Sequence, residues 1–170
     1  NVGKDHAYIN LLGFCPSLFL HRNILSLEVL VILNEKVALR KRAIQMLEHL
    51  DTDERSKINE QLRQHLVTSK LWKNNETVGL TISKGHEWET RQIIKTAWEA
   101  GKRVCVPKCY PESSSLIFFQ ITSFEQLKSV YYNLLEPIPS KTTKVARDDL
   151  QLIVVPGLLF DMDGYRIGHG

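Results

Sequence analysis

The sequence predicts an α/β domain, in which a mostly parallel sheet is flanked by helices in a three-layer arrangement. Two observations predict this class. Short β-type runs alternate with segments whose apolar residues recur at the helical period, from residue 36 to residue 155. The last run, residues 151–155 (QLIVV), is almost continuously apolar, which is typical of a strand buried on both faces. In such sheets ligands bind at the carboxyl ends of the strands.

The first two elements are predicted to be helices. Residues 36–50 form the first, with apolar positions near the helical period at Leu39, Ala43, Met46, Leu47 and Leu50. Asp51 or Thr52 caps the second, and the acidic residues that follow suit its positive amino-terminal end. Its buried stripe is predicted to be Ile58, Leu62 and Leu66.

The remaining elements are predicted to build the sheet. A strand over residues 77–82 leads into a loop, and a helix over residues 89–100 ends at Gly101, the expected position for a terminating glycine. Three more strands are predicted: residues 103–106, closed by Pro107; residues 116–122; and residues 151–155.

Composition excludes several classes of protein. The 170 residues suit one domain. Basic and acidic residues are interspersed, and the net charge is only +3. This charge is too weak a signal for nucleic-acid binding but is compatible with a small anionic ligand. The three cysteines, Cys15, Cys105 and Cys109, have neither a disulfide pattern nor zinc spacing. They predict free thiols and a reducing, cytoplasmic compartment.

The amino-terminal segment has a different character. Residues 8–33 are rich in Leu, Ile and Phe, but polar residues and a proline interrupt the run, so a membrane span is not expected. No small-residue cleavage site of a signal peptide is clear. We expect residues 1–34 to lie outside the domain, which we place at residues 35–170.

Two groups of residues are candidates for phosphate binding. Arg166, Ile167, Gly168, His169 and Gly170 follow a strand and a turn, and such a loop lets backbone N–H groups approach phosphate oxygens. Spacing alone leaves a plain tight loop open as the alternative. Lys36 and Arg40, four residues apart, share one helical face. The alternative for them is a solvated basic face.

Two carboxylates follow the first predicted strand. Glu89 stands at the start of a helix and is interpreted as an acid that satisfies its free N–H groups. Glu87 remains open: it could do the same, or it could hold the amino groups of a heterocycle or help to bind a metal.

Taken in order, these segments resemble the 5-formyltetrahydrofolate cyclo-ligases, also called methenyltetrahydrofolate synthetases. Residues 36–40 match the opening Lys-x-x-Leu-Arg of that family, and Glu54-Arg55 match its Glu-Arg pair. Further matches are Ser83 with residues 87–90 (EWET), Pro107-Lys108 and Glu136-Pro137. Residues 156–170 match the long pattern Pro-Gly-x-x-Phe-Asp-x-x-Gly-x-Arg-x-Gly-x-Gly, which is specific.

The resemblance implies an enzyme with ATP and Mg²⁺ as cofactors and a reduced folate as substrate. ATP would phosphorylate the formyl oxygen of 5-formyltetrahydrofolate, and attack by the N10 amine would give 5,10-methenyltetrahydrofolate, ADP and phosphate. The implied ATP-binding residues are Lys36, Arg40, Arg166, Ile167, Gly168, His169 and Gly170. The implied folate-binding residues are Ile82, Glu87 and Tyr132. We also expect a monomer that binds neither nucleic acid nor membrane.

The chain departs from the family pattern in two places. His169 stands where many members have Arg or Tyr. The family continues beyond Gly170 with a Tyr-Tyr-Asp segment, whose Asp is the implied magnesium ligand, so we expect the sheet of this chain to be incomplete at its carboxyl end. Two alternatives therefore remain: an inactive, truncated remnant, or a ligand-binding sensor domain. The same sheet occurs in sugar-phosphate isomerases and CoA-transferase-like proteins.

Overall fold

Among the described residues, helices dominate from Val29 to Asn74 and strands dominate from Thr77 onward. The computed structural model describes residues 7–10 and 29–169. The helices are α1, Val29–His49; α2, Thr52–Thr68; α3, Lys70–Asn74; and α4, Arg91–Glu99. The strands are β1, Ala7–Asn10; β2, Thr77–Leu80; β3, Arg103–Tyr110; β4, Ser115–Ile121; β5, Leu127–Ser129; β6, Leu135–Pro137; β7, Thr143–Lys144; β8, Leu152–Val155; β9, Leu159–Phe160; and β10, Arg166–Ile167.

The main sheet has the strand order β1-β8-β2-β3-β4-β7. Its first four strands pair in parallel, whereas β4 and β7 pair antiparallel. Two small antiparallel pairs, β5 with β6 and β9 with β10, lie outside it. The predicted α/β class is confirmed, and the sheet is mixed because β3 turns back directly into β4 instead of crossing over through a helix.

The helices pack on one face of this sheet. Leu62 and Leu66 of α2 are buried, as predicted, and Ile58 is partly buried beside them. They share a core with α4 and with alternate residues of the parallel strands, among them Val78, Leu80, Val104, Leu152 and Val154. Each such side chain contributes roughly 1.5–3 kcal/mol when it leaves water, so this shared core holds the helical layer in place.

A smaller cluster covers the other face. Cys105, Val145 and Leu150 are buried there, with Phe118 and Ile153 packed against them. Gly79 of β2 faces this cluster, and a Cβ at that position would lie 2.9 Å from the Phe118 ring. The glycine therefore lets an aromatic ring lie directly on the strand.

Two predicted helix ends are confirmed. Of the two capping candidates, Asp51 is the cap, since its Oδ1 accepts from the Glu54 N–H at 2.7 Å. Gly101 follows α4 with φ of +72° and donates its N–H to the Trp98 carbonyl at 2.9 Å. A left-handed residue directly after a helix favours glycine, which explains the stop.

The prediction that Pro107 ends its strand is wrong, because β3 continues to Tyr110. Pairing with β2 stops at Cys105, so the edge of β3 on that side is unpaired at Pro107. Pro107 is opposite Phe118, whose carbonyl accepts from the Val145 N–H on the far side of β4. The missing proline N–H thus falls on the free edge and costs no ladder hydrogen bond.

Part of the amino-terminal segment is described. β1 pairs in parallel with β8, from Ala7 opposite Leu152 to Asn10 opposite Val155, and α1 begins at Val29. The expectation that residues 1–34 lie outside the domain stays a prediction, and residues 1–6 and 11–28 lie outside the described residues. Of the described helices, none has both the length and the apolar run that crossing a membrane takes.

We predict that a variant beginning near Asn34 folds. Every buried core side chain that the structure describes lies between Ala43 and Leu158, so the truncation leaves that core intact. Loss of β1 exposes one edge of β8, which we expect to lower the melting temperature modestly. Circular dichroism and thermal melts of both lengths check this, and a truncated chain without a cooperative transition would contradict it.

Candidate functional site

A cleft lies where β2 and β8 end. These strands pair in parallel, so the loop after β2 and the loop after β8 leave the sheet at the same edge. The space in and above the cleft is about 410 Å³ and includes open solvent. Its lining is Leu47, Thr81, His86, Glu87, Trp88, Thr90, Val154, Pro156, Gly157 and His169. Two of the predicted site residues, Glu87 and His169, are part of this lining.

The loop after β2 is braced by its own side chains. The Ser83 N–H donates to Thr90 Oγ1 at 2.8 Å, and the Thr90 N–H donates to Ser83 Oγ at 3.1 Å. Glu89 Oε1 accepts from the Arg91 N–H at 2.6 Å, at the start of α4. The interpretation of Glu89 as a helix-terminal acid is confirmed, and Ser83 and Thr90 lock both ends of the loop together.

Glu87 has a different environment from Glu89. Its Oε2 accepts from the Lys84 N–H at 2.8 Å, which closes a turn within the loop and leaves α4 uncapped by this residue. Its Oε1 lies 3.8 Å from His169 Nε2, and the side chain is about one-fifth exposed. One carboxylate oxygen is thereby fixed by the backbone while the other faces the cleft lining.

Arg55 holds this loop against α2, a role that sequence reasoning missed. Its Nη2 donates to the Glu87 carbonyl at 2.9 Å, and its guanidinium lies 5.4 Å from the centre of the Trp88 ring. The only signal was the Glu54-Arg55 pair at the start of the helix. Arg55 therefore positions the segment that carries Glu87.

Trp88 brings an unused donor to the cleft. The residue is 6% exposed, and among the described residues its Nε1 has no hydrogen-bond partner. Buried polar groups are nearly always paired, because an unpaired one costs about 1–3 kcal/mol. An oxygen acceptor bound beside the ring would satisfy it.

His169 lines the cleft beside Glu87 of the loop after β2. Burial lowers the pKa of its imidazole below the ordinary value of 6.5; the neighbouring His86 and Arg40 act in the same direction, and Glu87 opposes them. The ring is therefore mainly neutral at pH 7. Its approach to Glu87 is then a contact between a carboxylate and a neutral ring, which adds no cation to the site.

The segment before His169 is a hairpin whose motif residues have structural roles. Asp161 Oδ1 accepts from the N–H groups of Asp163 and Tyr165, at 3.0 and 2.8 Å. Gly164 has φ of +87°, which the turn requires. A Cβ on Gly157 would lie 2.6 Å from the Phe160 ring. The Pro-Gly-x-x-Phe spacing therefore lets the Phe160 ring pack directly on the backbone of Gly157.

Two predicted phosphate-binding arginines hold the loops together. Arg40 Nε donates to the Gly168 carbonyl at 2.8 Å and joins α1 to the glycine segment. Arg166 Nη1 donates to the Pro156 carbonyl at 2.6 Å and joins β10 to the end of β8. Each guanidinium keeps further N–H groups for a ligand. Lys36 is exposed, one helical turn before Arg40.

The remaining predicted site residues differ in their exposure. Ile82 is 5% exposed and belongs to the main core. Ile167 is half-buried, and its carbonyl accepts from the Leu158 N–H at 2.7 Å. Tyr132 is 71% exposed, and its carbonyl accepts from Lys84 Nζ. Gly170 lies outside the described residues.

A second pair of motif residues forms an ion pair away from the cleft. Lys108 Nζ lies 2.7 Å from Glu136 Oε2, and the Cys109 N–H donates to Glu136 Oε1 at 3.0 Å. The hydrogen bond to Glu136 raises the pKa of Lys108. Because the two side chains are only 18% and 10% exposed, the pair joins β3 to β6 in a partly dehydrated setting.

The described residues supply no ready metal site. Among them, no group of three or more His, Cys, Asp or Glu side chains is placed to hold an ion. Cys105 is a buried free thiol whose pKa burial raises to about 11, and Cys109 is free and exposed. Cys105 is therefore not an activated nucleophile.

Comparison with known proteins places most of this architecture in one family. A sequence model described as the 5-formyltetrahydrofolate cyclo-ligase family matches residues 32–170. The 5-formyltetrahydrofolate cyclo-ligase of Mus musculus is 30% identical over 140 residues, which are 79% of this chain and 69% of the mouse protein. A mitochondrial 5-formyltetrahydrofolate cyclo-ligase of Arabidopsis thaliana is 24% identical over 153 residues, covering 82% and 55% of the two chains.

A solved structure has the same fold. The NMR structure of 5,10-methenyltetrahydrofolate synthetase from Aquifex aeolicus superposes with a TM-score of 0.69 at 24% identity. The match covers 79% of this chain and 67% of the other. At that identity the likeness supports the fold alone.

We predict that the Lys108–Glu136 pair is a stability element. Glu136→Ala leaves Lys108 and the Cys109 N–H without their shared acceptor. A hydrogen bond to a charged group contributes about 1.5–3 kcal/mol to stability. We therefore expect a clear fall in the free energy of unfolding, measured by urea denaturation. Glu60→Ala is the control, since it breaks an exposed ion pair with Arg63 and should leave the transition nearly unchanged. Equal effects of the two substitutions would contradict the assignment.

Proposed function

The chain belongs to the 5-formyltetrahydrofolate cyclo-ligase family, and from this premise we propose that it closes 5-formyltetrahydrofolate to 5,10-methenyltetrahydrofolate with consumption of ATP. One observation carries the assignment of residues. Three segments far apart in sequence meet at the cleft: α1 through Arg40 and Gly168, the loop after β2 through Glu87, and the segment after β10 through His169. These contacts support the proposal of one site for both substrates at this edge of the sheet.

The folate end of the site is centred on Glu87. A carboxylate that is partly dehydrated and fixed at one oxygen is a strong acceptor for ring N–H and amino groups, which a reduced pterin presents along one edge. Tyr132 offers an exposed aromatic face for the ring system. Ile82 is a core residue whose contribution would be to shape the wall of the site rather than to touch polar atoms.

The phosphate end is built from cations and backbone. Lys36, Arg40 and Arg166 would neutralise the charge of the transferred phosphoryl group, and residues 167–170 would bring backbone N–H groups to its oxygens. The reaction needs the formyl oxygen in line with the terminal phosphate, so the main work of the chain is positioning. A neutral His169 would keep the junction between the two ends free of a competing positive charge.

Magnesium would supply charge neutralisation at the ATP phosphates. The described residues do not by themselves fit it, since no acidic cluster stands at the cleft.

We further propose a monomeric protein of the cytoplasm that acts on a small molecule and not on nucleic acid. The two described cysteines are free, one of them exposed, which suits a reducing compartment. The weak net charge of +3 gives no extended basic surface for a polyanion.

We predict that the full-length protein converts 5-formyltetrahydrofolate in the presence of ATP and Mg²⁺. The product absorbs in the near ultraviolet, so a spectrophotometric assay follows it directly. Omission of ATP, and removal of Mg²⁺ by a chelator, should each stop product formation. A well-folded protein that gives no ATP-dependent product would contradict the proposal and favour a non-catalytic remnant or a sensor domain.

We predict that Lys36→Ala weakens ATP binding without changing stability. The side chain is exposed, so its loss should leave the melting temperature unchanged, whereas a charge-assisted hydrogen bond to phosphate contributes about 1.5–3 kcal/mol. The expected effect is a roughly tenfold to hundredfold rise in the Kd for ATP. Arg40→Ala should lose at least as much affinity, because it also removes the hydrogen bond to Gly168.

Lys41→Ala is the matched control for these variants. Lys41 has the same charge and exposure as Lys36 but lies on a different side of α1. Isothermal titration and thermal melts of all three variants should separate them. Equal ATP affinity in Lys36→Ala and Lys41→Ala would contradict the phosphate role and support the alternative that Lys36 belongs to a solvated basic face.

A further inference from the structure

Helix α2 holds the loop that carries Glu87 at two points. Arg55 Nη2 donates to the Glu87 carbonyl at 2.9 Å. The Glu89 N–H donates to Asn59 Oδ1, also at 2.9 Å. Arg55 and Asn59 are four residues apart, so they project from the same face of α2. One helical face therefore fixes the main chain on both sides of Trp88.

The side chain between these two points is anchored in the core. Trp88 is buried and belongs to the main hydrophobic cluster, and the Arg55 guanidinium lies 5.4 Å from the centre of its ring. Arg55 and Asn59 are themselves half-buried. Hydrogen bonds in such a partly dehydrated setting face less competition from water, so they hold the loop more firmly than exposed ones.

Other contacts of this loop close its base or lie at the surface. Ser83 and Thr90 join its two ends through a pair of hydrogen bonds. Joined ends alone leave a hinge, because the tip of the loop can still swing relative to the sheet. The contact with α1, from His86 Nε2 to Glu48 Oε1 at 3.3 Å, has both side chains nearly half exposed, where an ion pair contributes little. The contacts with α2 are therefore the ones that set the direction of the tip.

The direction of the tip decides where the Glu87 carboxylate lies. Its Oε2 accepts from the Lys84 N–H within the loop, so the carboxylate moves with the loop rather than independently of it. Glu87 is part of the cleft lining, whereas Asn59 is not. A binding group that shifts by about 1 Å loses much of its effect on a bound ligand.

We propose that Asn59 is a positioning residue for the folate, which acts together with Arg55 by holding Glu87 where it meets the ring N–H and amino groups of a pterin. Asn59 acts through the Glu89 N–H and the main chain that leads to Glu87. The proposal deepens the function proposed above and rests on the assignment of Glu87 to the folate. The competing explanation is a merely structural role, in which these contacts only stabilise the fold.

The test uses the full-length protein with two substitutions of Asn59. Asn59→Leu nearly keeps the size of the side chain but removes the acceptor, and it should raise the KM for 5-formyltetrahydrofolate about fivefold to tenfold at unchanged kcat. Asn59→Asp keeps an acceptor for the Glu89 N–H and should restore most of the KM. Arg55→Met removes the other contact with the loop and should raise the KM in the same direction.

The affinity for ATP separates positioning from a general loss of stability. The residues proposed for the phosphates lie outside this loop, so Asn59→Leu should leave the Kd for ATP unchanged in isothermal titration. Gln61→Leu is the matched control, because it also replaces an amide by leucine on α2, at an exposed position away from the loop. It should behave as wild type. A parallel loss of affinity for both substrates, together with a fall in melting temperature, would overturn the proposal in favour of the structural role.

Hydrogen exchange tests the contact without any substrate. Asn59→Leu should speed exchange at the Glu89 amide, while Gln61→Leu should not. An unchanged Glu89 amide in Asn59→Leu would overturn the proposal at its first step. If wild type shows no turnover of the folate, the proposed function fails and the folate role of Asn59 falls with it, even where exchange shows the contact. If wild type turns over the folate and Asn59→Leu speeds exchange without changing KM, the function stands and the positioning role is overturned.

Discussion

The parallel pairing of β2 with β8 is the constraint on which the site depends. Val78 is opposite Leu152 and Leu80 is opposite Val154, so two strands from distant parts of the chain end at the same height. Both are buried in the main core, and a slip in register would turn apolar side chains to the wrong face. The loop with Glu87 and the segment with His169 meet because parallel strands end at the same edge of the sheet.

Most of the motif residues around the cleft build the loops rather than contact a ligand. Gly157 admits the Phe160 ring, Asp161 organises the hairpin turn, and Ser83 and Thr90 close the other loop. In the loop after β2, Ile82 and Trp88 anchor the chain in the main core, and side-chain hydrogen bonds to the backbone fix the shape between them.

The sequence predicted what is local and missed what joins distant segments. The cap at Asp51, the stop at Gly101 and the buried stripe of α2 follow from residue type and period, and all three are confirmed. The course of β3 through Pro107 was missed because it depends on which edge the strand leaves unpaired. The Lys108–Glu136 pair was also missed, because it joins β3 of the main sheet to β6 of the separate β5-β6 pair, and no spacing in the sequence marks that packing.

Hydrogen bonds to the backbone fix the orientation of Arg40 and Arg166, two of the residues proposed to bind phosphate. Arg40 and Arg166 each use one guanidinium N–H on a carbonyl of the loop they border, so their orientation is set before any phosphate arrives. A preoriented planar donor loses little conformational freedom when it binds an anion. Lys36 is exposed on its helix, so its flexible side chain would lose more conformational entropy on binding a phosphate oxygen. In the proposed site the arginines would set the geometry and the lysine would add mainly charge, so replacing an arginine by lysine should harm the site more than replacing Lys36 by arginine.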